Sequence, residues 1–307
     1  MKGMRTYMAP PFISYVTFNR LGLTIKNLAA ILESTDDFEM HIVDNCSTDG
    51  TWEYIQSLND SRILSKIQIG INVGQIYALN LNVVRRRPEQ FFITVDNDVY
   101  IETKDWISRF MKVFEAFPEV GLLGVSRGEP YPAYYPPVTL KEKEGISYLE
   151  LVHSSPDVER DFVPGCCQCL RPELIKELGY WSEENCAGEA EISLRVNNYS
   201  SFQVGFMTDI SIKMPQALEC AECQYNSLCQ LNKSSKTCFS IYHKNNKNEA
   251  FKEKFKWKFD ETIKDMRSGK RTLYCASSLD AASTENHIFQ SDWALENFRF
   301  YIENANK

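Results

Sequence analysis

The sequence predicts an α/β protein in which helices flank a mixed, mainly parallel β-sheet. Short runs of β-branched and aromatic residues alternate with segments of helical spacing through the first half of the chain. Polar residues follow several of these strand-like runs, at the sheet edge where ligands bind in such folds. With 307 residues, the chain is long enough to bury a substantial core.

Strands and helices are predicted in regular alternation as far as Val95. The predicted strands are residues 12–18, 40–43, 63–69 and 91–95. The helices between them are residues 21–32, a segment that carries Trp52, Ile55 and Leu58 at helical spacing, and residues 75–86. This alternation implies βαβ units and therefore parallel strands.

Regular structure is less continuous after Val125. Residues 129–137 (EPYPAYYPP) contain too much proline for a helix or a central strand, so we predict an aromatic loop. Further regular segments are predicted at 145–152, 158–163, 172–178, 188–196 and 202–212. The tail from residue 248 is predicted to be helical, with an apolar stripe through Phe251, Phe255 and Phe259. Packing of this stripe on the protein itself is favoured over peripheral contact with an anionic membrane.

Charge and hydropathy exclude several classes of protein. The net charge of −7 argues against nucleic acid as the main partner, because phosphate binding leaves a basic footprint. No apolar run reaches the roughly 18 residues of a transmembrane helix, and residues 1–11 lack the apolar region of a signal peptide. We therefore expect a cytoplasmic enzyme. Ten cysteines are many for that compartment, where disulfides are rare.

Asp96 and Asp98 directly follow the strand-like run 91–95, with Asn97 between them. Two carboxylates so placed offer hard oxygen ligands to Mn²⁺ or Mg²⁺, ions that typically bridge carboxylates and substrate phosphates. The alternative interpretation is a polar turn at the end of a strand.

Polar residues also follow the other strands of the predicted parallel sheet. Thr17 and Asn19 come at the end of the first strand, and Asp44 and Asn45 at the end of the second. Because such ends meet at one edge, these side chains are expected to converge with the two later carboxylates. Helix capping is the alternative role for Asn19.

Four segments agree together with one known pattern. Residues 16–20 (VTFNR), 42–51 (IVDNCSTDGT), 72–80 (NVGQIYALN) and 96–98 (DND) resemble P-T-Y-N-R, V-D-N-G-S-T-D-G-T, N-x-G-x-x-x-A-x-N and D-x-D of glycosyltransferase family 2. Residues 164–171 and 188–195 resemble its later G-x-x-x-L-x-R and E-D-x-D-L-x-x-R segments. The resemblance covers about residues 12–211 and implies the GT-A fold, which is Rossmann-like.

The resemblance implies an inverting, metal-dependent transferase. Its donor would be a nucleotide-sugar, usually a UDP-sugar, and its acceptor a glycan, a lipid-linked molecule or a protein. The implied nucleotide-sugar ligands are Thr17, Asn19, Asp44 (to the base), Gly74 (for close backbone approach) and Asp96. The implied metal ligands are Asp96, Asp98 and a late histidine, His243.

The catalytic base of the family falls on Glu189. A base that takes the acceptor's proton is worth about 10²–10⁴-fold in rate. The sequence departs from the family pattern here, because Gly188 replaces the first acid and Glu replaces Asp at residues 189 and 191. The alternative is a solvated acidic helix start, favoured by the helix dipole.

Seven of the ten cysteines form two groups. Cys220, Cys223, Cys229 and Cys238 make a compact four-thiol set opened by C-x-x-C, which fits a structural Zn²⁺ site, although unligated thiols are an equal alternative. The other group, Cys166, Cys167 and Cys169, lies on a strand-like segment and is expected to be packed.

The predicted organisation has three parts. Residues 1–215 form the catalytic domain, with a nucleotide-sugar half (1–125) and an acceptor half (126–215). A cysteine-rich insertion (216–240) and a helical extension (241–307) follow. Two other functions compete: a nucleotidyltransferase, which would need a glycine-rich loop that residues 18–22 do not provide, and a non-catalytic carbohydrate-binding protein.

Overall fold

The computed structural model describes residues 9–72, 74–128, 133, 135–152, 162–181, 188–214, 264 and 268–270; for residues 188–191 and 198 it describes the backbone alone. The strands are β1 (Phe12–Thr17), β2 (Glu39–Asp44), β3 (Ile63–Gln68), β4 (Phe92–Val95), β5 (Tyr100–Ile101), β6 (Val120–Val125), β7 (Val138–Lys143), β8 (Ile146–Leu151), β9 (Cys167–Leu170), β10 (Gln203–Met207) and β11 (Ile212–Lys213). The helices are α1 (Leu21–Leu32), α2 (Thr51–Ser57), α3 (Gln75–Val83), α4 (Trp106–Ala116), α5 (Pro172–Leu178) and α6 (Gly188–Tyr199).

Nine strands form one mixed sheet in the order β3-β2-β1-β4-β9-β6-β10-β8-β7. The first four of these run parallel to one another, as the βαβ alternation predicts. β9 lies antiparallel between β4 and β6, and the hairpin of β7 and β8 forms the far edge. β5 and β11 pair in a separate small sheet. The predicted α/β class is confirmed.

The core lies on both faces of the sheet, because successive residues of a strand point to opposite sides. In β1, Ile13 belongs to the apolar cluster packed by α1 and α4, whereas its neighbour Phe12 belongs to the cluster packed by α3, α5 and α6. A strand buried on both faces is apolar nearly throughout, which explains the unbroken run that predicted it.

Several predicted elements have different limits. The helix predicted for 75–86 ends at Val83. Just after it, the guanidinium of Arg86 donates to the carbonyls of Arg87, Pro88 and Gln90 at 2.7–2.8 Å. The single strand predicted for 202–212 is wrong: it is two strands, β10 and β11, which belong to different sheets. The helix predicted for 188–196 continues to Tyr199.

Other predictions concern residues that the structure describes in part or not at all. The predicted strand at 158–163 is described only at 162–163, which are not in a strand. The aromatic loop at 129–137 and the helical tail lie mostly outside the described residues. Within the part of the chain that the structure describes, no helix combines the length and apolar character needed to cross a bilayer.

Candidate active site

The carboxyl ends of β1, β2 and β4 lie side by side. Thr17 is paired with Asp44 across β1 and β2, and Tyr15 is paired with Val95 across β1 and β4. The chain therefore leaves β4 at Asp96 on the same edge where Thr17 and Asp44 end their strands. The predicted convergence of polar residues at one edge of the sheet is confirmed.

Asp44 is a fully buried acid at the end of β2. Its Oδ2 accepts hydrogen bonds from the backbone N–H of Ser47 (2.9 Å) and from Nε2 of Gln68 (3.2 Å). Its Oδ1 has no hydrogen-bond partner among the described residues. Burial raises the pKa of this carboxyl, and the hydrogen bonds from Ser47 and Gln68 oppose that shift. A buried acceptor without a donor is costly, so the site suits a ligand that brings an N–H group.

The loop after β2 fixes the ends of two helices. The carboxylate of Asp49 accepts hydrogen bonds from the backbone N–H of Leu21 (3.0 Å) and of Thr51 (3.1 Å), at the starts of α1 and α2. Asn19 is therefore not the cap of α1. Its side-chain oxygen accepts instead from the N–H of Thr48 (2.9 Å), which ties the first strand end to the second.

Gly74 occupies a conformation that only glycine adopts readily. Its φ is 86° and its ψ 164°, and apart from its own chain neighbours no described residue has an atom within 4 Å of the position a Cβ would take. Its N–H donates to Oδ1 of Asn72 (3.0 Å), which also accepts from Nδ2 of Asn45 (2.8 Å). The loop before α3 is thus fastened to the end of β2, with open space over the glycine that a ligand can approach.

The Asp96–Asp98 turn is held from beneath by buried amides and hydroxyls. Asn97 donates from Nδ2 to the hydroxyl of Thr17 (2.9 Å), which is itself 1% exposed and contacts the Thr24 hydroxyl at 3.1 Å. Asn27, on α1, donates to the carbonyls of Asp96 (3.2 Å) and Val99. These contacts assign Thr17 a supporting role; direct contact of Thr17 with a nucleotide stays a prediction.

Both carboxylates of the turn already have a donor. Oδ2 of Asp98 is 2.8 Å from Nη1 of Arg20, and Oδ1 of Asp96 accepts from Nε2 of Gln75 at 3.0 Å. Both acids are partly exposed. Two carboxylates at an accessible strand end fit Mn²⁺ or Mg²⁺, which keep several water or phosphate oxygens in their shell. Within the described ranges, no cluster of three or more His, Cys, Asp or Glu could hold an ion without such help.

The predicted catalytic base lies on the first turn of α6, which begins at Gly188. The side chain of Glu189 is outside the described part, so its role stays a prediction. Residues 178–181, after α5, are held by side chains of two helices: Asn80 of α3 donates to the carbonyl of Trp181 (2.9 Å), and buried Arg195 of α6 donates to the carbonyls of Leu178 and Tyr180.

His243 and the set Cys220, Cys223, Cys229 and Cys238 lie outside the described residues. Cys166, Cys167 and Cys169 are buried free thiols, which confirms that they are packed residues. Burial raises the pKa of Cys167 and Cys169 well above the usual value, so both remain neutral.

Sequence reasoning missed the residues that organise the turn, namely Arg20, Asn27 and Gln75. Asn27 had a detectable signal, because it lies on the buried face of α1 with Leu28 and Ile31, where an unpaired amide would be costly. Arg20 and Gln75 are partly or fully exposed, and nothing in their spacing announces a contact with residues about 80 and 20 positions later.

Solved structures with similar folds include a mannosyltransferase and chains in complex with nucleotide-sugars. S. aureus TarS is 18% identical with a TM-score of 0.52, over 68% of this chain and 37% of that one. TarS 1-349 in complex with UDP-GlcNAc is 16% identical with a TM-score of 0.51, over 77% and 65%. The mannosyltransferase PcManGT from Pyrobaculum calidifontis, in complex with GDP-Man and Mn²⁺, is 17% identical with a TM-score of 0.51, over 70% and 60%.

The mixed sheet flanked by helices is the GT-A glycosyltransferase fold. The sequence profile of glycosyl transferase family 2 matches residues 13–179, and the chain belongs to this family. The chain spans between 37% and 65% of the length of the three solved chains. No curated protein has a significantly similar sequence.

Proposed function

We propose that this chain is an inverting glycosyltransferase that moves a sugar from a UDP-sugar to a hydroxyl of a saccharide, lipid-linked or protein acceptor with the help of Mn²⁺ or Mg²⁺. One observation carries the proposal. The buried carboxylate of Asp44, whose Oδ1 has no partner among the described residues, ends the strand beside β1, and the Asp96–Asp98 pair follows the strand on the other side of β1. Family membership and neighbours solved with UDP-GlcNAc or GDP-Man and Mn²⁺ support it.

The hydrogen bonds of Asp44 favour uracil as the base. Uracil offers a single ring N–H, which one carboxylate oxygen can accept. Guanine offers an adjacent N–H and amino group, which together match two carboxylate oxygens. In this chain Oδ2 of Asp44 already accepts from Ser47 and Gln68, and Oδ1 alone has no partner among the described residues. A GDP-sugar, the donor bound to PcManGT, is the second candidate.

The Asp96–Asp98 pair would hold the divalent ion beside the diphosphate. An ion bound there neutralises charge on the departing diphosphate. The protein's own part is to keep the turn in place, through the amide of Asn27 and the hydroxyl of Thr17. Gly74, with open space above its backbone, would let the nucleotide approach closely.

Glu189 is the proposed base. Inversion is a direct displacement at the anomeric carbon, so the acceptor oxygen forms its bond as the diphosphate oxygen leaves. The carboxylate takes the hydroxyl proton during this step. The first turn of a helix favours an ionised acid, and an ionised acid is the form that a base requires.

Nucleotide binding followed by turnover tests the proposal. Calorimetry with Mn²⁺ should detect UDP, with GDP at least about tenfold weaker because one acceptor is occupied. A panel of UDP-sugars should then release UDP, and Asp98→Ala should abolish this release while Glu191→Ala retains it. Binding without turnover of any donor would favour a non-catalytic carbohydrate-binding protein. Failure to bind either nucleotide would refute the proposal, and tighter binding of GDP would replace uracil by guanine.

We also propose that Cys220, Cys223, Cys229 and Cys238 bind a structural Zn²⁺, since four thiolates suit its tetrahedral geometry. Elemental analysis of the purified chain tests this directly. One zinc per chain supports the proposal, and its absence leaves these cysteines as unligated thiols.

A further inference from the structure

Arg20 and Asp98 form an ion pair at the mouth of the candidate active site. Nη1 of Arg20 lies 2.8 Å from Oδ2 of Asp98, and their side chains are 22% and 24% exposed. The two residues come from the ends of different strands, 78 positions apart. A cation therefore already occupies the carboxylate that the family pattern assigns to the metal.

The backbone holds Arg20 in this position at a conformational cost. Asn19 and Arg20 both have left-handed backbone angles, with φ of 55° and 64°, which residues with a Cβ rarely adopt. Hydrogen bonds on either side of Arg20 maintain these backbone angles. Before it, the Asn19 N–H donates to the Ser47 hydroxyl (2.7 Å), and after it, the Leu21 N–H donates to Asp49. Such an arrangement fixes the start of the arginine side chain while its end stays partly exposed.

A guanidinium and a divalent ion cannot share Asp98 without repulsion. Like charges a few ångströms apart repel, and partial burial limits screening by water. A guanidinium displaced from a carboxylate still needs an acceptor, and its planar fork matches phosphate oxygens. The diphosphate of the proposed donor, which an ion on Asp96 and Asp98 would contact, offers such oxygens at this edge.

We propose that Arg20 and the divalent ion exchange at Asp98, and that the displaced guanidinium then binds the donor's diphosphate. The inference rests on the proposed function for the identity of the diphosphate. Before the donor arrives, the ion pair keeps Asp98 occupied and weakens binding of the metal alone. Once metal and donor are both bound, Arg20 contributes to holding the diphosphate. Arg20 thereby makes metal and donor bind together more tightly than either binds alone.

The contact between Gln75 and Asp96 supports the same mechanism. The amide of Gln75 engages one oxygen of Asp96 in the way that Arg20 engages Asp98. Gln75 is exposed and Arg20 is partly exposed, so neither donor is a buried core side chain. Gln75 is neutral, and the electrostatic competition is therefore specific to Arg20.

The test compares Arg20→Gln with the wild type in three binding measurements on the full chain. Binding of Mn²⁺ alone, followed by electron paramagnetic resonance of the free ion, should become about two- to fivefold tighter, because a partly exposed ion pair no longer competes. Binding of UDP at saturating Mn²⁺ should weaken about tenfold or more, since a charge-assisted hydrogen bond is lost. Binding of uridine, which has no phosphate, should not change.

Two further variants control for charge and for folding. Arg109→Gln removes another arginine that forms an ion pair, with Asp105 at 2.9 Å on α4, and should leave all three measurements unchanged. Asp98→Asn keeps the size of the side chain but frees Arg20, so it should lose Mn²⁺ binding while retaining UDP binding without metal. This variant keeps the inference testable if Arg20→Gln unfolds.

Unchanged or weaker Mn²⁺ binding in Arg20→Gln would overturn the exchange at Asp98. Unchanged UDP binding would overturn the contact with the diphosphate. A chain that binds Mn²⁺ in the expected order but no nucleotide in any form would refute the proposed function and the diphosphate contact, while the competition at Asp98 would stand.

Discussion

Replacing Asp44 with Asn separates recognition of the base from stability of the fold. Asn has the same shape, and its oxygen can still accept from the Ser47 N–H and Gln68 Nε2 that hold Oδ2 in the wild type. Its amino group then takes the place of Oδ1, the atom without a partner among the described residues. The change turns the acceptor that we propose for uracil into a donor and leaves the hydrogen bonds from Ser47 and Gln68 in place.

The expected loss of UDP affinity follows from the kind of hydrogen bond removed. A hydrogen bond to a charged group contributes about 1.5–3 kcal/mol. At about 1.4 kcal/mol per decade, UDP binding should weaken about 10- to 100-fold. The donor of uracil would also face another donor, so the loss should lie toward the upper end of that range.

The expected change in stability has the opposite sign. Burial raises the pKa of Asp44 above its ordinary value of 3.8, so the folded chain holds this proton more tightly than the unfolded chain. Stability attributable to Asp44 therefore falls as pH rises from 3.8 through the raised pKa. Asp44→Asn removes this loss, so at pH 7 the variant should unfold at the same temperature as the wild type or at a higher one.

Calorimetry with UDP and thermal unfolding between pH 4 and 8 measure both effects. Wild-type UDP affinity should decline as pH is lowered through the raised pKa of Asp44, because the protonated acid is a poorer acceptor. The variant should show no such step. A variant that binds UDP as tightly as the wild type, or that is several kcal/mol less stable at pH 7, would refute the assignment of Asp44 as a destabilising but functional acid.

Three further substitutions test the surrounding structure. Gly74→Ala should lower the free energy of unfolding by about 1 kcal/mol or more and weaken UDP binding, because φ is 86° at this position. Gly70→Ala is the control: its Cβ position also has no described atom within 4 Å, but its φ is not positive, so the loss of stability should be smaller. Asn27→Ala should cost roughly 1–3 kcal/mol and weaken Mn²⁺ binding, since the buried carbonyl of Val99 loses this amide donor and the partly buried carbonyl of Asp96 keeps the Val99 N–H but loses the amide as well. Glu189→Gln should lower turnover about 10²- to 10⁴-fold with UDP affinity unchanged, whereas Glu191→Gln should retain turnover; equal effects would contradict the choice of base.

The sequence determined the elements of the nucleotide half because their patterns are local. A strand buried on both faces is apolar nearly throughout, and a helix packed on one side repeats its apolar residues at helical spacing. For this reason α1 in the nucleotide half begins and ends where the sequence predicts it, and so does α5 in the acceptor half. The convergence of Thr17, Asp44 and Asp96 follows as well, because parallel strands bring their carboxyl ends to one edge.

The sequence did not determine how those ends are connected. The N-terminus of α1 is capped by Asp49 and that of α4 by Asp36, which accepts from the Ile107 and Ser108 N–H groups. Both acids lie in loops that are distant in the sequence from the helices they cap, so no local sequence pattern predicts these caps. The same applies to β9, whose insertion between β4 and β6 depends on pairing across more than 40 residues.

The motif Asp96–Asp98 shows the division most clearly. Its residue types and its position after an apolar strand predicted a carboxylate pair at the edge of the sheet. Only the tertiary structure decided that Asp98 faces Arg20 and that Asp44 keeps one oxygen without a partner among the described residues. The physical reason is that hydrogen bonds and ion pairs act over about 3 Å. Residues that are distant in the sequence come within this distance of each other only once the sheet has formed.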